Sequence, residues 1–213
     1  MSPLTAVPAA AAAGILAGLL LTAIPLWRLR RALHTALHHA HHDDTTGLPN
    51  RRAFLAAVDD THHSGRAFGL ILLDLDEFKQ INDRHGHDAG NQLLTAIGHR
   101  LTGLPRPVLL AARLSGDEFA LLVDGGADAT SQAAQLAATA ITATPVTLAD
   151  GSAVTVDASV GYTTSRLGVA TRDLLGEADT AMYRAKRGAG RIYRYQPASA
   201  AAEPPTGRCR DRR

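Results

Sequence analysis

The sequence predicts an α+β fold, a mixed α/β domain in which helices pack against one central sheet that contains antiparallel strands. Three observations lead to this prediction. Apolar runs of strand length alternate with segments of helical period in the order β-α-α-β-β-α-β-α-β. One pair of strands is joined by a very short turn, as in a hairpin. The composition, 46% hydrophobic and 20% charged over 213 residues, is typical of one globular domain with an appendage.

The first elements of the domain can be identified from their apolar periodicity. Residues 43–60 begin with turn-forming residues and continue as a helix. Residues 66–76 form a nearly continuous apolar run, which is typical of a strand buried on both faces. Residues 77–83 and 89–104 have a helical period and are separated by a glycine-containing segment. These patterns predict a helix, a central strand and a helix pair.

Six more elements complete the predicted domain, which extends over residues 43–196. They are strands at 107–114 and 118–123, a helix at 129–143, a strand at 152–164, a helix at 170–190 and a short strand at 191–195. The first two of these strands are joined by Ser115-Gly116, a sequence suited to a tight turn. We therefore expect the pair to be antiparallel.

Residues 1–27 predict an N-terminal transmembrane anchor. No charged side chain precedes Arg28, and the apolar stretch at 4–27 is longer than the roughly 20 residues needed to cross a bilayer. Arginines 28, 30 and 31 follow this stretch, whereas a secretory signal peptide has its positive charges in front. By the positive-inside rule, the rest of the chain then lies in the cytoplasm. A buried alanine-rich helix of a soluble protein is the alternative.

Residues 28–42 predict a helical stalk that carries five histidines. His34, His38 and His42 are one helical turn apart, which is a spacing that metal ligands use. No carboxylate or cysteine within the stalk completes a ligand set. A solvated stalk, paired with its twin in a dimer, is therefore favoured over a metal sensor.

The C-terminal residues 197–213 are rich in proline and alanine and are basic, so we expect a disordered tail. The single cysteine, Cys209, lies in this tail, which excludes a disulfide framework within the chain. The formal net charge is +2, and much of the excess base lies near the two ends. This distribution argues against a nucleic-acid partner, since such domains concentrate Lys and Arg on one face.

Three carboxylates form the most informative cluster in the sequence. Asp74 ends the first predicted strand, and Asp117 and Glu118 follow the hairpin turn, so they can meet at one edge of the sheet. Converging carboxylates repel one another unless a cation lies between them, and Mg²⁺ is usually held by such oxygens together with substrate phosphates. With Lys79 and Asn82 just downstream, the cluster predicts a nucleotide site. Helix capping and a solvated turn are the alternative interpretation.

Four segments resemble, in order, the signatures of the GGDEF domain of the diguanylate cyclase family. They are "DDTTGLPNRRAF", "LDLDEFKQINDRHGHDAGNQLL", "RLSGDEFALL" and "ADTAMYRAKRGAGR", which together extend over residues 43–195. The resemblance implies a fold related to the palm of nucleotidyl cyclases and polymerases. It also implies a bacterial signalling enzyme that condenses two GTP molecules into cyclic di-GMP as a homodimer, here at the cytoplasmic membrane.

The resemblance also implies roles for the acidic residues. Asp74 and Asp117 would bind Mg²⁺, or Mn²⁺ in its place, with help from the backbone carbonyl of Leu75. Glu118 would complete the acidic turn, either in metal binding or in activating the attacking 3′-hydroxyl. Asp117 and Glu118 are accordingly the expected catalytic residues.

The resemblance also implies contacts to the substrate from three of the four quoted segments. Lys79, Lys186 and Arg191 would bind the phosphates, and Gly116 would let the backbone lie close to the nucleotide. Asn82 and Asn91 stand at the two positions that recognise guanine.

Asn91 replaces an aspartate of the family pattern, and this substitution bears on base selectivity. An aspartate accepts both hydrogen bonds that guanine donates from N1 and N2, whereas an asparagine offers one acceptor and one donor. The replacement leaves open a relaxed specificity that includes a mixed cyclic GMP-AMP product. The alternative is that Asn82 and the pocket shape suffice to select guanine.

Three other departures from the family pattern stand out. Ser115 replaces the first glycine of the signature turn. Arg106 occupies the arginine position of the product-inhibition motif, but Leu109 occupies its aspartate position, so we expect weak or absent feedback inhibition. The Lys186–Arg191 segment is one residue longer than the family pattern, which bears on whether Arg191 reaches a phosphate. These changes keep open a degenerate module that binds GTP or partners without catalysis.

Overall fold

The computed structural model describes residues 25–31, 40–189 and 191–197. Within these ranges, five helices follow the N-terminal segment, and the last continues into a π-helical turn, Ala185–Ala189. The helices are α1 (Arg51–His63), α2 (Phe78–His85), α3 (His87–Thr102), α4 (Ala127–Thr142) and α5 (Thr171–Arg184). The strands are β1 (Phe68–Leu75), β2 (Val108–Ser115), β3 (Glu118–Asp124), β4 (Val146–Thr147), β5 (Ala153–Val154), β6 (Ala158–Thr164) and β7 (Ile192–Arg194).

The main sheet has five strands in the order β2-β3-β1-β6-β7. β1 lies at its centre and is antiparallel to both β3 and β6, whereas β7 runs parallel to β6. The prediction of an α+β fold with a mixed central sheet is therefore confirmed. The hairpin of β2 and β3 is also confirmed, but Ser115 belongs to β2, so Gly116 and Asp117 form the connection instead of Ser115 and Gly116.

β1 is buried along all eight residues because helices cover both faces of the sheet. Ile71 and Leu73 belong to the core formed with α3 and α4. Leu70 and Leu72 belong to the core formed with α1 and α5. Successive side chains of a strand point to opposite faces, so Asp74 shares the α1 and α5 face with Leu70 and Leu72.

The prediction of one strand at 152–164 was wrong, because the segment forms two separate strands. β5 pairs only with β4, in a small two-stranded sheet, and the main-sheet ladder starts at Ala158. The reason is a local turn, in which Asp150 accepts hydrogen bonds from the backbone and hydroxyl of Ser152, and Gly151 has a φ of 83°. This turn closes a hairpin that directs β5 away from β6.

The predicted anchor, stalk and tail lie largely outside the described residues. Residues 1–24, 32–39 and 198–213 are in that category. Residues 25–31 are helical, and Leu26, Trp27 and Leu29 are exposed. Among the helices of the described residues, none combines the length and the apolar character needed to cross a membrane.

At Gly161, β6 and α5 approach each other very closely, and this contact leads to a testable prediction. A Cβ at Gly161 would lie 1.9 Å from the backbone nitrogen of Met182 and 2.5 Å from the carbonyl oxygen of Ala178. Backbone atoms of a packed helix cannot rotate away, so Gly161→Ala is expected to lower the free energy of unfolding by about 3 kcal/mol. Urea denaturation of the 213-residue chain measures the change.

Gly176→Ala is the matched control. Gly176 lies in α5 and is exposed, and a Cβ added there would have no atom within 4 Å, so alanine is expected to keep or raise stability. Equal unfolding midpoints for Gly161→Ala and wild type would contradict the proposed packing of β6 on α5.

Candidate active site

The structure brings Asp74, Asp117 and Glu118 to one edge of the main sheet, here called the acidic edge. Asp74 lies directly opposite Glu118 in the antiparallel pairing of β1 with β3. The backbone N–H of Leu75 donates to the carbonyl oxygen of Asp117 at 3.2 Å, which ties the turn to the end of β1. Like charges that face each other across strands are destabilising, so this arrangement does not serve the fold.

Asp74 is the most buried member of the acidic edge, with 7% of its surface exposed. Burial raises the pKa of its carboxyl group and the nearby Asp117 raises it further, while Lys186, whose Nζ donates to Oδ1 at 2.7 Å, opposes the shift. The same contact raises the pKa of Lys186. The lysine side chain is half exposed, whereas the aspartate side chain is largely buried, so desolvation disfavours the aspartate charge despite the ion pair.

The turn between β2 and β3 is held in place by Arg113. Gly116 has a φ of 47°, a conformation that favours glycine. The Nε and Nη2 groups of Arg113 donate to the carbonyl oxygen of Gly116 at 2.9 and 2.8 Å. The hydroxyl of Ser115 donates to Oε2 of Glu118 at 2.8 Å, which is a contact that glycine at this position could not make. The turn is thus fixed by side chains on both sides.

Asp43, at the start of the domain, completes this support. It accepts a hydrogen bond from Nη1 of Arg113 at 2.8 Å, as well as from the backbone and hydroxyl of Thr46. Partial burial alone would raise the pKa of Asp43, but these hydrogen bonds outweigh it and lower the pKa. Sequence analysis missed both residues of the pair, although a lone arginine within the apolar run of β2 was an available signal.

The two predicted base-recognition residues lie on the helix pair α2 and α3. Asn82 is half-buried in α2, and Asn91 is exposed in α3. Lys79 is exposed in the first turn of α2. The residue before that helix, Glu77, has a φ of 58°, which is unusual for a residue other than glycine and marks a strained entry into the helix.

The comparison with known families decides the identity of the domain. Residues 40–191, most of the chain, match the family model described as "Diguanylate cyclase, GGDEF domain". The chain belongs to the GGDEF family. The resemblance predicted from the four signatures is therefore confirmed.

Individual relatives agree with this assignment. The chain is 38% identical over 186 residues to an uncharacterized signaling protein of Caulobacter vibrioides, covering 84% of this chain and 23% of that protein. It is 39% identical over 178 residues to the diguanylate cyclase TpbB of Pseudomonas aeruginosa, covering 79% and 40%. The chain thus spans less than half the length of either relative.

A solved structure shows the same fold. The coiled coil and GGDEF domain of DgcB from Caulobacter crescentus, in complex with c-di-GMP, superimposes with a TM-score of 0.75 at 25% identity. The match covers 84% of this chain and 98% of that one.

The lengthened segment after α5 contains the turn Ala185–Ala189, in which Gly188 has a non-helical φ of 92° and kinks the chain. Lys186 on this turn reaches Asp74, whereas Arg191 forms an ion pair with Asp157. The structure therefore brings Lys186 but not Arg191 into contact with the acidic edge.

Arg106 lies at the far end of the β2–β3 hairpin from the acidic edge. Its side chain is 78% exposed and lies 3.6 Å from Asp124, which also binds Arg66 at 2.7 Å. Leu109 occupies a position on β2, as the sequence indicates. Among the described residues, Arg106 thus shares one carboxylate with a second arginine and has none of its own.

GGDEF cyclases are generally metal-dependent, so the fit of the acidic edge to a metal is relevant. Across the ranges that the structure describes, no three His, Cys, Asp or Glu side chains are grouped so as to hold a metal ion. Asp74 and Asp117 are nevertheless close enough to interact, and Asp74 already holds a cationic group at 2.7 Å. Mg²⁺ is usually bound by one or two carboxylates, and substrate phosphates complete its coordination shell. Asp74 and Asp117 fit this pattern.

Asp74→Asn is expected to make the fold more stable at neutral pH. The folded-state pKa of Asp74 is raised above its usual value of 3.8, so the ionised carboxylate costs stability as pH rises through and above that value. Asparagine removes the charge and keeps the shape. Urea unfolding should give a higher midpoint for the variant at pH 7, with the difference narrowing toward pH 4. A variant less stable than wild type at pH 7 would contradict this account.

Asp43→Asn is expected to have the opposite effect. The folded-state pKa of Asp43 is lowered, so its contribution is present above 3.8 and is lost as pH falls through the folded-state pKa. Loss of the charge-assisted hydrogen bonds to Arg113 should cost about 1 kcal/mol at pH 7. Asp60→Asn, on the exposed side of α1, is the control and should leave the unfolding midpoint unchanged. If Asp43→Asn were destabilised as much in acid as at pH 7, the link between the pKa of Asp43 and the stability of the fold would be ruled out.

Proposed function

We propose that this protein is a diguanylate cyclase, which condenses two GTP molecules into cyclic di-GMP and releases two pyrophosphates. The observation that carries the proposal is the acidic edge, where Asp74 and Asp117 lie together although their charges disfavour the fold. A module that only bound partners would gain nothing from keeping them. Lys186, at 2.7 Å from Asp74, adds a phosphate-binding cation at the same edge.

The proposed reaction consists of two equivalent substitutions at phosphorus. The 3′-hydroxyl oxygen of each GTP attacks the α-phosphorus of the other, the bond from that phosphorus to the bridging oxygen breaks, and pyrophosphate leaves with the electron pair. The hydroxyl proton passes to a base, a role that we assign to Glu118 at the start of β3. Catalysis then depends mainly on positioning and charge neutralisation.

Asp74, Asp117 and the carbonyl oxygen of Leu75 would hold Mg²⁺, or Mn²⁺ in its place. When bound, the metal supplies positive charge that neutralises the phosphates as the leaving group departs. Glu118, oriented by Ser115, would either join the metal shell or act on the 3′-hydroxyl. Gly116 leaves open space above the turn, since nothing lies within 4 Å of a Cβ there.

Substrate recognition is assigned to α2 and α3. Lys79 lies in the first turn of α2, where the helix dipole favours phosphate. Lys186 supplies the second cation, and Arg191 would have to exchange Asp157 for a phosphate. Asn82 and Asn91 would contact the guanine base.

The proposed active form is a homodimer at the bacterial cytoplasmic membrane. Each protomer has one acidic edge and would hold one GTP, so two copies must face each other to complete the product. A single transmembrane helix at 4–27 would anchor the chain with its GGDEF domain in the cytoplasm. Exposed Leu26, Trp27 and Leu29, followed by arginines, suit the membrane interface.

A second candidate function is a nucleotide-binding module without catalysis. One observation favours it: the ion pair of Arg191 with Asp157, which occupies a predicted phosphate ligand. This contact would have to yield to substrate in an active enzyme. Product formation separates the two candidates.

Product analysis is the test of the proposed function. The 213-residue chain in mild detergent is given Mg²⁺ and GTP, and then GTP with ATP, and the nucleotides are separated by chromatography and identified by mass spectrometry. We expect cyclic di-GMP from wild type and none from the isosteric double variant Asp117→Asn, Glu118→Gln. Cyclic GMP-AMP in the mixed reaction would show that Asn91 relaxes base selection.

Two further results would change the assignment. A dimer that binds GTP but forms no cyclic dinucleotide would favour the non-catalytic module. Equal product from wild type and from the double variant would show that the acidic edge is not the catalytic centre.

A further inference from the structure

We propose that Gly90 is a positioning residue for base recognition, because only a glycine at this position leaves room for the side-chain amide of Asn82. The inference rests on the proposed function, in which Asn82 contacts guanine. It adds that the neighbouring helix α3 restricts the position of this amide and that the GTP preference of the site depends on that position.

The geometry at the crossing of α2 and α3 is the basis for this inference. A Cβ at Gly90 would lie 1.9 Å from Oδ1 of Asn82, 3.0 Å from its Cγ and 3.1 Å from Cζ of Phe78. Gly90 itself is buried. The amide oxygen of Asn82 therefore lies against the bare backbone of α3, in the space that any other residue at position 90 would fill.

The backbone around this contact is fixed at a tight corner. The N–H of Gly86 donates to the carbonyl oxygen of Asn82 at 2.8 Å, and the N–H of Gly90 donates to that of Gly86 at 3.2 Å. One residue separates the end of α2 from the start of α3. Because the two backbones cannot move apart easily, an added methyl group must be accommodated by rotation of the Asn82 side chain.

This response distinguishes Gly90 from a glycine that serves packing alone. The atom that a methyl group would displace is the far end of a side chain, and rotation of a side chain costs little. Alanine is also the better helix former at an interior helical position. Gly90→Ala is therefore expected to keep the fold at wild-type stability or above while it misplaces the Asn82 amide. At Gly161, by contrast, the displaced atoms are backbone.

The position of the Asn82 amide has a consequence for nucleotide binding. One end of the amide lies against α3, so the other end is the part left for a ligand. A side chain that is turned away from this position loses its hydrogen bond to the base in the proposed site. Because that hydrogen bond is assigned to guanine, its loss weakens GTP binding more than ATP binding.

The experiment measures GTP and ATP binding to the 213-residue chain by calorimetry, with Ca²⁺ in place of Mg²⁺ to suppress turnover. Gly90→Ala is compared with Gly176→Ala, which makes the same substitution at an open position of α5. We expect Gly90→Ala to weaken GTP binding about tenfold, the equivalent of one hydrogen bond, with little change for ATP. Gly176→Ala should bind both nucleotides as wild type does, and urea unfolding should find neither variant less stable.

A double-mutant cycle tests whether Gly90 acts through Asn82. In an Asn82→Ala background the added Gly90→Ala substitution should have no further effect on GTP binding, since the side chain that it displaces is gone. A second tenfold loss in that background would overturn the inference and assign the effect to Phe78 or to the helix crossing. Unchanged GTP binding by Gly90→Ala alone would overturn it as well.

The failure of the proposed function gives a different result. If wild type binds no GTP, then the assignment of the nucleotide site is wrong, and the role proposed for Gly90 is excluded as well. If wild type binds GTP and Gly90→Ala binds it equally well, only the role of Gly90 is wrong. Loss of both GTP binding and stability in Gly90→Ala would show a packing role instead of a positioning role.

Discussion

The carboxylate of Asp74 lies at the end of a strand that is buried along its whole length, and the arrangement of the site depends on that constraint. The antiparallel pairing of β1 with β3 brings a second carboxylate, Glu118, directly opposite. Only one cationic side chain, Lys186, contacts Asp74 within the described residues, and it comes from a π-helical turn that follows α5. Burial still raises the pKa of Asp74, so one lysine does not offset the cost of burying this carboxylate charge. A metal ion bound together with nucleotide phosphates can supply the additional positive charge.

The acidic edge is also connected to the point where the chain enters the domain. Asp43 binds Arg113, and Arg113 holds the carbonyl oxygen of Gly116 in the turn that carries Asp117. A displacement of the segment around Asp43 would therefore be transmitted to the turn through two direct contacts. This connection joins the segment that enters the domain to the acidic edge.

The sequence was sufficient for the features that depend on local pattern. The apolar run before Asp74 identified the central strand, and the signature turn identified the acidic hairpin. The features that could not be predicted depend on contacts between residues distant in sequence, or on turns whose sequence pattern is weak. The strand at 152–164 breaks because of the turn at Asp150, and the ion pair of Arg191 with Asp157 joins residues that are distant in sequence. Arg113 and Gly90 act on partners that only the folded chain brings near.

Base selection combines two asparagines that differ in how firmly the structure holds them. Asn91 is exposed on α3, so its amide is free to present either its donor or its acceptor, and the replaced aspartate would have presented acceptors only. Asn82 is half-buried with its amide against Gly90, so the position of its side chain is restricted. A rotating amide discriminates weakly between guanine and adenine because it can satisfy either base. In this proposal, the packing of α2 on α3 keeps Asn82 in place for guanine and so offsets the selectivity that the departure at Asn91 puts at risk.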